Sequence, residues 1–358
     1  MTDRVVVSGI GMIGPGAFGR AAVIQAFPAF PRAAGTGRVS EFALDEHLEG
    51  GRAFRRVSGA TKFALAAMAV AVGDAGFSVQ TFGGSDAGII VGITHGGAPY
   101  SVQFHRELML EGCLAASPLH FSESVPNAPA GNAAIAFRVR GPVHTLIGDE
   151  PVGTEAIDLA ADLLWSGVIK RCLVVGTEEW SEVVTHAYAQ IDRARRPRRA
   201  SNDVPPLSEG AAALVLELES AVTERGGTAQ AVLAGWGLER CDGDRVDDAM
   251  LAAVRAACGQ AGRSVTDADH VVLPTGRYRH AVMHACVAAR GEAAPPPIWV
   301  DLAQAVGNPA GAANLLQLAV SAALISAGKV NGPGLILSTG ATGTLSAVVL
   351  AGTGRART

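Results

Sequence analysis

The sequence predicts an α/β protein in which most strands are buried on both faces. Short apolar runs recur along the chain without the polar–apolar alternation of a half-exposed strand. Stretches with apolar residues at helical spacing separate these runs. Hydrophobic residues make up 49% of the 358 residues, whereas charged residues make up 17% and aromatic residues 5%. This composition suits tightly packed helices and strands and argues against a disordered chain.

Seven apolar runs are predicted to be strands. They are Val5–Ser8, Gly88–Gly92, Cys172–Gly176, Ala212–Glu217, Val271–Leu273, Gly334–Ser338 and Leu345–Ala351. Four longer segments are predicted to be helices, namely Thr61–Asp74, Glu155–Gly167, Ala249–Ala261 and Ala312–Ala327. The first helix has a helical-spacing set of Phe63, Ala66, Ala67 and Val70, and Gly76 as a candidate C-cap. The first and last helices are apolar on most faces, so we expect both to be buried.

The chain is expected to consist of two similar halves, residues 1–222 and 223–358. The boundary falls near Ser220–Gly227, where a polar, glycine-containing segment separates two strand-rich regions. In each half a helix follows a glycine-rich turn, at Gly148–Glu155 and at Gly307–Ala313. Residue identity between the halves is too low to establish a repeat from the sequence.

Charge and cysteine content argue against several classes of function. The formal net charge of −4 disfavours a nucleic-acid partner. The five cysteines form no CxxC pair, which argues against a zinc site or a disulfide framework and suits reduced thiols in the cytosol. They are Cys113, Cys172, Cys241, Cys258 and Cys286.

We also expect a soluble, cytoplasmic chain with no membrane partner and no cofactor. No basic-then-apolar signal region precedes the first strand. The longest uncharged apolar run, Leu315–Ala327, is shorter than the roughly 20 residues that span a bilayer.

Several segments resemble β-ketoacyl synthases, in the same order along the chain. The opening VVVSGIGMIGPGA is similar to the family's VVITGxGxxSPxG, VPNAPAGNAAIAFRVRGP to its LPNMAAGxxAxxxxxxGP, and LSEGAAALVLE to its LGEGAGxLVLE. Nearer the C-terminus, VGNPAGAAN stands where GHxxGAAG is expected and STGATGTLSAVVL where GFGGTNxxLVL is expected. The resemblance covers nearly the whole chain. It implies the thiolase-like fold, with two similar halves in αβαβα layers, usually paired as a two-fold dimer.

The resemblance also locates the positions at which this family keeps its reacting groups. An active member has a cysteine at a sharp strand-to-helix turn, where the helix N-terminus lowers the thiolate pKa and backbone donors stabilise an oxyanion. Two histidines support malonyl decarboxylation and condensation. Matching GPVHTLIGDEPVG places Glu150 on the cysteine, and the histidines fall on Pro274 and Asn308. The family's lysine and gating phenylalanine fall on Ala303 and Ala341.

These departures predict a chain that has no catalytic residues of its own for condensation. Glutamate is a poor acyl acceptor because an anhydride would hydrolyse, and proline has no side-chain proton to transfer. Chain length factors, the ketosynthase-like partners in type II polyketide synthases, carry Gln in place of the cysteine, and IGDEPVG is similar to that context. The resemblance implies a heterodimer with a cysteine-containing ketosynthase, an acyl carrier protein as a further partner, and a highly reduced or polyene product.

Two other functions remain open for Glu150 and for the chain. In the first, the chain is a malonyl-carrier-protein decarboxylase that uses the Glu150 carboxylate. In the second, it is a scaffold that pairs with another copy of itself and has no ketosynthase partner. The plain interpretation of Glu150 is structural, because an acidic residue at a helix start is stabilised by the helix dipole by about 0.3–1 kcal/mol.

The segment Tyr100–Leu110 resembles the part of chain length factors that lines the acyl tunnel at the dimer interface. The candidate tunnel residues are Tyr100, Phe104, Leu108 and Met109, together with Val125 in the following loop. Bulky side chains there would stop a growing chain sterically. Ordinary helix packing is the alternative, because a sequence does not fix which face of a helix is covered.

Other polar features have both a plain and a functional interpretation. His280 and His284 lie four residues apart, but a metal site would need further ligands. His144, in a strand before Glu150, suits a structural hydrogen bond. Arg193–Arg199 contains five arginines, which predicts a solvated loop or a contact for an acidic carrier protein or the partner subunit.

Two glycine-rich segments, Ser8–Gly11 and Gly340–Gly343, are expected to be tight turns. Neither completes a GxGxxG or P-loop pattern, so nucleotide binding is not indicated.

Overall fold

The computed structural model describes residues 3–30, 37–39, 42–195, 205–241, 245–276, 278–291 and 294–354. Over these residues ten strands form one sheet. They are β1 (Val5–Ile13), β2 (Ala87–Ile93), β3 (Val143–Ile147), β4 (Arg171–Glu178), β5 (Gly210–Leu218), β6 (Ala231–Arg240), β7 (His270–Val272), β8 (Ile298–Val300), β9 (Gly334–Thr339) and β10 (Thr344–Ala351). The seven predicted strands are confirmed and β3 contains His144, whereas β6 and β8 have no counterpart in the prediction.

The strand order is β3-β2-β4-β5-β1-β6-β10-β9-β7-β8. In the first five strands, β2 pairs in parallel with β3 and β4, and β5 pairs antiparallel with β4 and β1. In the last five, β7 pairs in parallel with β8 and β9, and β10 pairs antiparallel with β9 and β6. The two sets meet where β1 pairs antiparallel with β6. The same five-strand topology therefore occurs twice, although a division of the chain between residues 222 and 223 stays a prediction.

Helices connect the strands of the described chain. They are α1 (Arg20–Ala26), α2 (Gly59–Asp74), α3 (Val79–Phe82), α4 (Ala98–Glu111), α5 (Pro118–Ser124), α6 (Ala128–Ala136), α7 (Val152–Trp165), α8 (Glu182–Arg195), α9 (Glu219–Glu224), α10 (Val246–Ala261), α11 (Arg279–Arg290), α12 (Ala303–Val306) and α13 (Ala313–Ser326). The four predicted helices correspond to α2, α7, α10 and α13, with small shifts at their ends of the kind expected for frayed helix termini.

Two central helices, α7 and α13, pack against both halves of the sheet and form the main hydrophobic core. The other face of the sheet is covered by α2 and α6 in the first half and by α10 and α11 in the second. The layers therefore run in the order αβαβα. On β5, Leu214 faces the central core while its neighbours Ala213 and Val215 face the outer one. This confirms the prediction of strands buried on both faces.

The two helices that the sequence predicts to be buried, α2 and α13, are buried along most of their length, but Val70 on α2 is an exception. Every residue of α13 from Ala313 to Leu324 is buried, so the apolar run Leu315–Ala327 belongs mostly to the core. On α2, Phe63 and its neighbours are buried, but Val70 is 36% exposed. The expectation for Val70 is therefore wrong, because the helix turns that side to solvent. In the described part of the chain, no helix combines the length and apolarity that crossing a bilayer requires.

The expectation that Ser8–Gly11 forms a turn is also wrong, because this segment lies inside β1. A Cβ atom at Gly9 would overlap the carbonyl oxygen of Ala71, and one at Gly11 would overlap that of Ala67. The missing side chains let α2 lie directly against the strand. These glycines therefore serve helix–strand packing.

Candidate functional site

Glu150 lies in the tight connection between β3 and α7. The N–H of Gly148 donates to the carbonyl of Ile93 at 3.1 Å, which holds this connection against the end of β2. Pro151 precedes the first residue of α7, Val152. The side chain of Glu150 is buried, with the residue 4% exposed. A carboxyl group is thus held at a buried helix start, in the loop where the sequence places it.

The Glu150 carboxylate accepts hydrogen bonds from two segments of the second half of the chain. Asn308 Nδ2 donates to Oε1 at 3.0 Å, and the backbone N–H of Ala341 donates to Oε2 at 3.2 Å. Gly276 packs beside Oε1, since a Cβ atom at that position would lie 3.0 Å from this oxygen. The side chain is therefore enclosed by amide donors and backbone.

Burial raises the pKa of Glu150, because the charged form loses its hydration. The hydrogen bonds from Asn308 and from Ala341 oppose this rise, whereas the neighbouring Asp149 carboxylate adds to it. The amide donors carry no formal charge, so they stabilise the carboxylate by hydrogen bonding alone.

Asp149 fastens the same loop to the turn between β9 and β10. It is 8% exposed and accepts hydrogen bonds from the backbone N–H of Thr342, at 2.7 Å, and from the Thr342 hydroxyl. The N–H of Gly340 closes the turn on the carbonyl of Thr344 at 2.7 Å. The predicted tight turn at Gly340–Gly343 is therefore confirmed.

Asn308 is oriented by contacts on its backbone and its side chain. Its N–H donates to the Pro206 carbonyl and its carbonyl accepts from the Ser208 N–H, both at 2.9 Å. Its Oδ1 accepts from the Ala310 N–H at 3.0 Å. Because Oδ1 is engaged in this way, the side chain presents Nδ2 to Glu150.

Pro274 and Ala303 occupy the remaining positions singled out by the resemblance. Pro274 is buried just after β7, in the segment that brings Gly276 against Glu150. Ala303 begins α12, where its N–H donates to Asp301 Oδ1 at 3.0 Å. The structure therefore brings Glu150, Asn308 and Ala341 into direct contact, with the Pro274 segment alongside.

A second buried carboxylate, Glu178, is not singled out by the sequence analysis. It lies at the end of β4, is 2% exposed, and accepts backbone N–H groups from Thr94 at 3.0 Å, His95 at 3.2 Å and Gly311 at 3.3 Å. It ties the end of β2 and the loop before α13 to β4. The sequence does place Glu178 at the end of a buried apolar run. Because a buried charge needs hydrogen-bond partners, that position could have marked Glu178 as a residue that ties loops together.

His95 joins Glu178 to a tyrosine on α8. Its Nδ1 lies 3.6 Å from Glu178 Oε2, and its Nε2 lies 3.1 Å from the Tyr188 hydroxyl. The His95 side chain is 16% exposed. His95 is not among the positions that the resemblance to β-ketoacyl synthases assigns to catalysis.

A family model for the N-terminal domain of β-ketoacyl synthases matches residues 29–221, which are 193 of the 358 residues. This chain belongs to the β-ketoacyl synthase family. Nodulation protein E of Rhizobium sp. (strain N33) is 29% identical over 216 residues, 58% of this chain and 54% of that protein. Actinorhodin polyketide putative β-ketoacyl synthase 2 of Streptomyces coelicolor is 27% identical over 249 residues, 66% of this chain and 60% of that protein. The chain thus spans little more than half the length of these curated relatives.

Solved structures show the same fold over the whole chain. The ishigamide ketosynthase/chain length factor superposes with a TM-score of 0.78 at 22% identity, covering 98% of this chain and 100% of that chain. AntDE:AntF, a type II polyketide synthase acyl-carrier protein in complex with its ketosynthase, superposes with a TM-score of 0.80 at 18% identity, covering 98% and 99%. At these identities the likeness establishes the thiolase-like ketosynthase fold.

The candidate tunnel residues of this ketosynthase-family chain lie near the surface. Tyr100, Phe104, Leu108 and Met109 are on α4, which is described in full and has no buried residue, and Val125 follows α5. Met109 is 80% exposed, and the other four are half-buried. Their role as a tunnel lining stays a prediction.

The other polar candidates lie on the surface or outside the described residues. His280 and His284 are exposed on α11, and His144 is exposed on β3. Within the described ranges, no group of three or more His, Cys, Asp or Glu side chains is placed to hold a metal ion. Arg193–Arg199 begins in the last turn of α8, but its side chains lie outside the described part of the chain.

Proposed function

We propose that this chain is the non-condensing, chain-length-factor subunit of a type II ketosynthase, and that a separate cysteine-containing ketosynthase supplies the reacting groups. The observation that carries the proposal is that both carboxylate oxygens of Glu150, which the resemblance aligns with the nucleophile, are already bonded to Asn308 and Ala341. A condensing site needs a reachable nucleophile with an acid–base side chain beside it. Here glutamate, asparagine and a proline-containing segment fill those places.

The thiols of the chain support this proposal because they lie elsewhere in the fold. Cys172 is buried in β4, and burial raises its pKa. Burial also raises the pKa of Cys286, to about 11. Thiols of this kind are not nucleophiles at neutral pH. Cys241 and Cys258 are buried as well, and Cys113 is exposed after α4. None of the five is in a disulfide, in keeping with a proposed cytoplasmic location.

An open sheet edge supports the proposed partner. Within the described residues β3 pairs only with β2, and its Val143 and Ile147 are 36% and 64% exposed. Helix α6, which packs beside β3, exposes Ile135. An unpaired edge strand is a template for pairing with another chain, and exposed apolar side chains beside it favour a protein–protein contact. We place the ketosynthase partner on this face.

In this assembly the chain would shape the acyl tunnel, and the chemistry would take place on the partner. The bulky side chains of α4, Tyr100, Phe104, Leu108 and Met109, and Val125 would limit the length of the growing chain. An acyl carrier protein would deliver it, and the product would be a highly reduced or polyene acyl chain. The likeness to the ishigamide and AntDE:AntF structures supports these partners.

Co-expression with a cysteine-containing ketosynthase encoded beside this chain tests the proposal. We expect a 1:1 complex by size-exclusion chromatography with light scattering. Ile147→Asp should abolish that complex because it places a charge in the covered strand edge. Val287→Asp is the matched control, since Val287 is 51% exposed on α11, and it should leave the complex intact.

Three outcomes would contradict the proposal. One is a chain that forms only homodimers in the presence of the ketosynthase, which would favour a self-paired scaffold. Another is turnover of malonyl-carrier protein by the purified chain that is lost in Glu150→Ala, which would favour a decarboxylase. The third is acyl transfer to, and elongation on, this chain alone.

A further inference from the structure

The Glu150 carboxylate sits in a cradle built for a planar group with two oxygen atoms. Asn308 Nδ2 bonds one oxygen at 3.0 Å, and the Ala341 N–H bonds the other at 3.2 Å. Donors on both oxygens match a carboxylate in geometry, whereas a spherical ion such as chloride offers a single point of contact.

The donors of this cradle are held in place by contacts that do not involve the Glu150 side chain. Asn308 is anchored through Pro206, Ser208 and Ala310. The turn that carries Ala341 is closed by its own backbone hydrogen bond and fastened by Asp149. Removal of the Glu150 side chain would therefore leave the donors pointing into the space that it vacates.

Two buried hydroxyl groups belong to the segments that adjoin the cradle. The hydroxyls of Thr275 and Ser208 belong to residues that are 2% exposed, and neither has a hydrogen-bond partner among the described residues. Thr275 adjoins Gly276, which packs against Oε1, and Ser208 bonds the backbone of Asn308. In an emptied cradle the Asn308 and Ala341 donors would be buried and unpaired, which is costly and favours a new acceptor.

We propose that Glu150 is the resident occupant of a carboxylate-binding pocket and that the pocket, once emptied, binds a free monocarboxylate of the size of formate or acetate. In the native chain the pocket is filled by its own side chain. It is therefore closed to a carboxyl group of any substrate until Glu150 moves. This inference concerns the chain by itself and does not depend on its partner or on condensation.

Chemical rescue of Glu150→Ala tests the proposal on the purified full chain. The variant should unfold at a lower temperature than the wild type, because it leaves the Asn308 and Ala341 donors unpaired. Sodium formate or acetate should raise the melting temperature of the variant in a saturable way. Sodium chloride at equal ionic strength should not do so, and the wild type should not respond to formate. Half-saturation by formate should be no tighter than about 1 mM, the limit for a ligand of three non-hydrogen atoms.

The double variant Glu150→Ala/Asn308→Ala should lose most of the formate response, since it lacks the Nδ2 donor. An equal response to formate and chloride, or the same response in the wild type, would overturn the proposal. Glu150→Ser serves as a second truncation should the alanine variant not fold. A third measurement uses the wild-type background, where Asn308→Ala should shift the infrared carboxyl band of isotope-labelled Glu150. An unchanged band would also overturn the proposal.

Discussion

Several buried polar residues in this chain form hydrogen bonds with partners that are distant in sequence. Glu178 takes one of its backbone donors from Gly311, 133 residues away. His270 is fully buried, and its Nε2 lies 2.8 Å from the Ser321 hydroxyl, 51 residues away. Sequence analysis singles out Glu150 because it interrupts a family motif. It does not single out Glu178 or His270, since neither one departs from a local pattern.

The buried His270 predicts a loss of stability in mild acid. Burial lowers its pKa from 6.5 to about 4, against the opposing effect of Asp269. Below about pH 6.5 this imidazole is protonated in the unfolded chain, whereas it stays neutral in the folded chain. The free energy of unfolding should therefore be unaffected above that pH and fall by up to about 3 kcal/mol as the pH falls to about 4.

Urea unfolding at a series of pH values checks this expectation. His270→Gln should show a shallower fall in stability than the wild type between about pH 6.5 and pH 4. His144→Gln, at an exposed histidine on β3, should keep the wild-type slope. Equal slopes for the wild type and His270→Gln would show that His270 does not contribute.

At the scale of elements, close backbone approach decides how α2 lies on β1. The glycines of the N-terminal motif suggest a turn when they are considered locally, but the structure places Gly9 and Gly11 in a strand under the helix backbone. The edge strand β3 is a comparable case. Its exposed and half-buried residues do not alternate along the strand, and its position at the edge follows from sheet order rather than from its own sequence.

Two glycine substitutions test the contact between β1 and α2. Gly11→Ala should destabilise the fold by about 1–3 kcal/mol or more, because its Cβ would overlap the carbonyl oxygen of Ala67. Gly73→Ala on α2 is the matched control, since nothing lies within 4 Å of a Cβ at that exposed position. It should be stabilising by about 0.5–1 kcal/mol through helix propensity. Denaturant midpoints that change equally in both variants would contradict the packing argument.

At the scale of the whole molecule, the candidate site exists only where the two halves meet. Glu150 comes from the connection before α7, while Asn308 and Ala341 come from the loops before α13 and after β9. The two central helices also touch one another, since the Thr154 hydroxyl on α7 donates to Asn314 Oδ1 on α13 at 2.9 Å. The central core is therefore shared, and neither half covers it alone.

The shared core predicts that both halves unfold together. Trp180 reports on the first half and Trp299 on the second. Variants in which Trp180 or Trp299 is the sole remaining tryptophan, with Trp165 and Trp236 also replaced, should give coincident fluorescence transitions in denaturant, because separation of the halves would expose α7 and α13. Two transitions with different midpoints would show that the halves are energetically independent.

The sequence by itself determined the fold class, the doubly buried strands and the all-round apolar helices, because burial leaves a local mark on composition and spacing. Through the family resemblance it also predicted that glutamate, proline and asparagine stand where the family keeps reacting groups. Only the tertiary structure decided what these residues do together. The partners of Glu150 lie 158 and 191 residues away, so they meet only after the two halves of the sheet close around α7 and α13. Local spacing reports that a side chain is buried, but it does not report which side chains surround it.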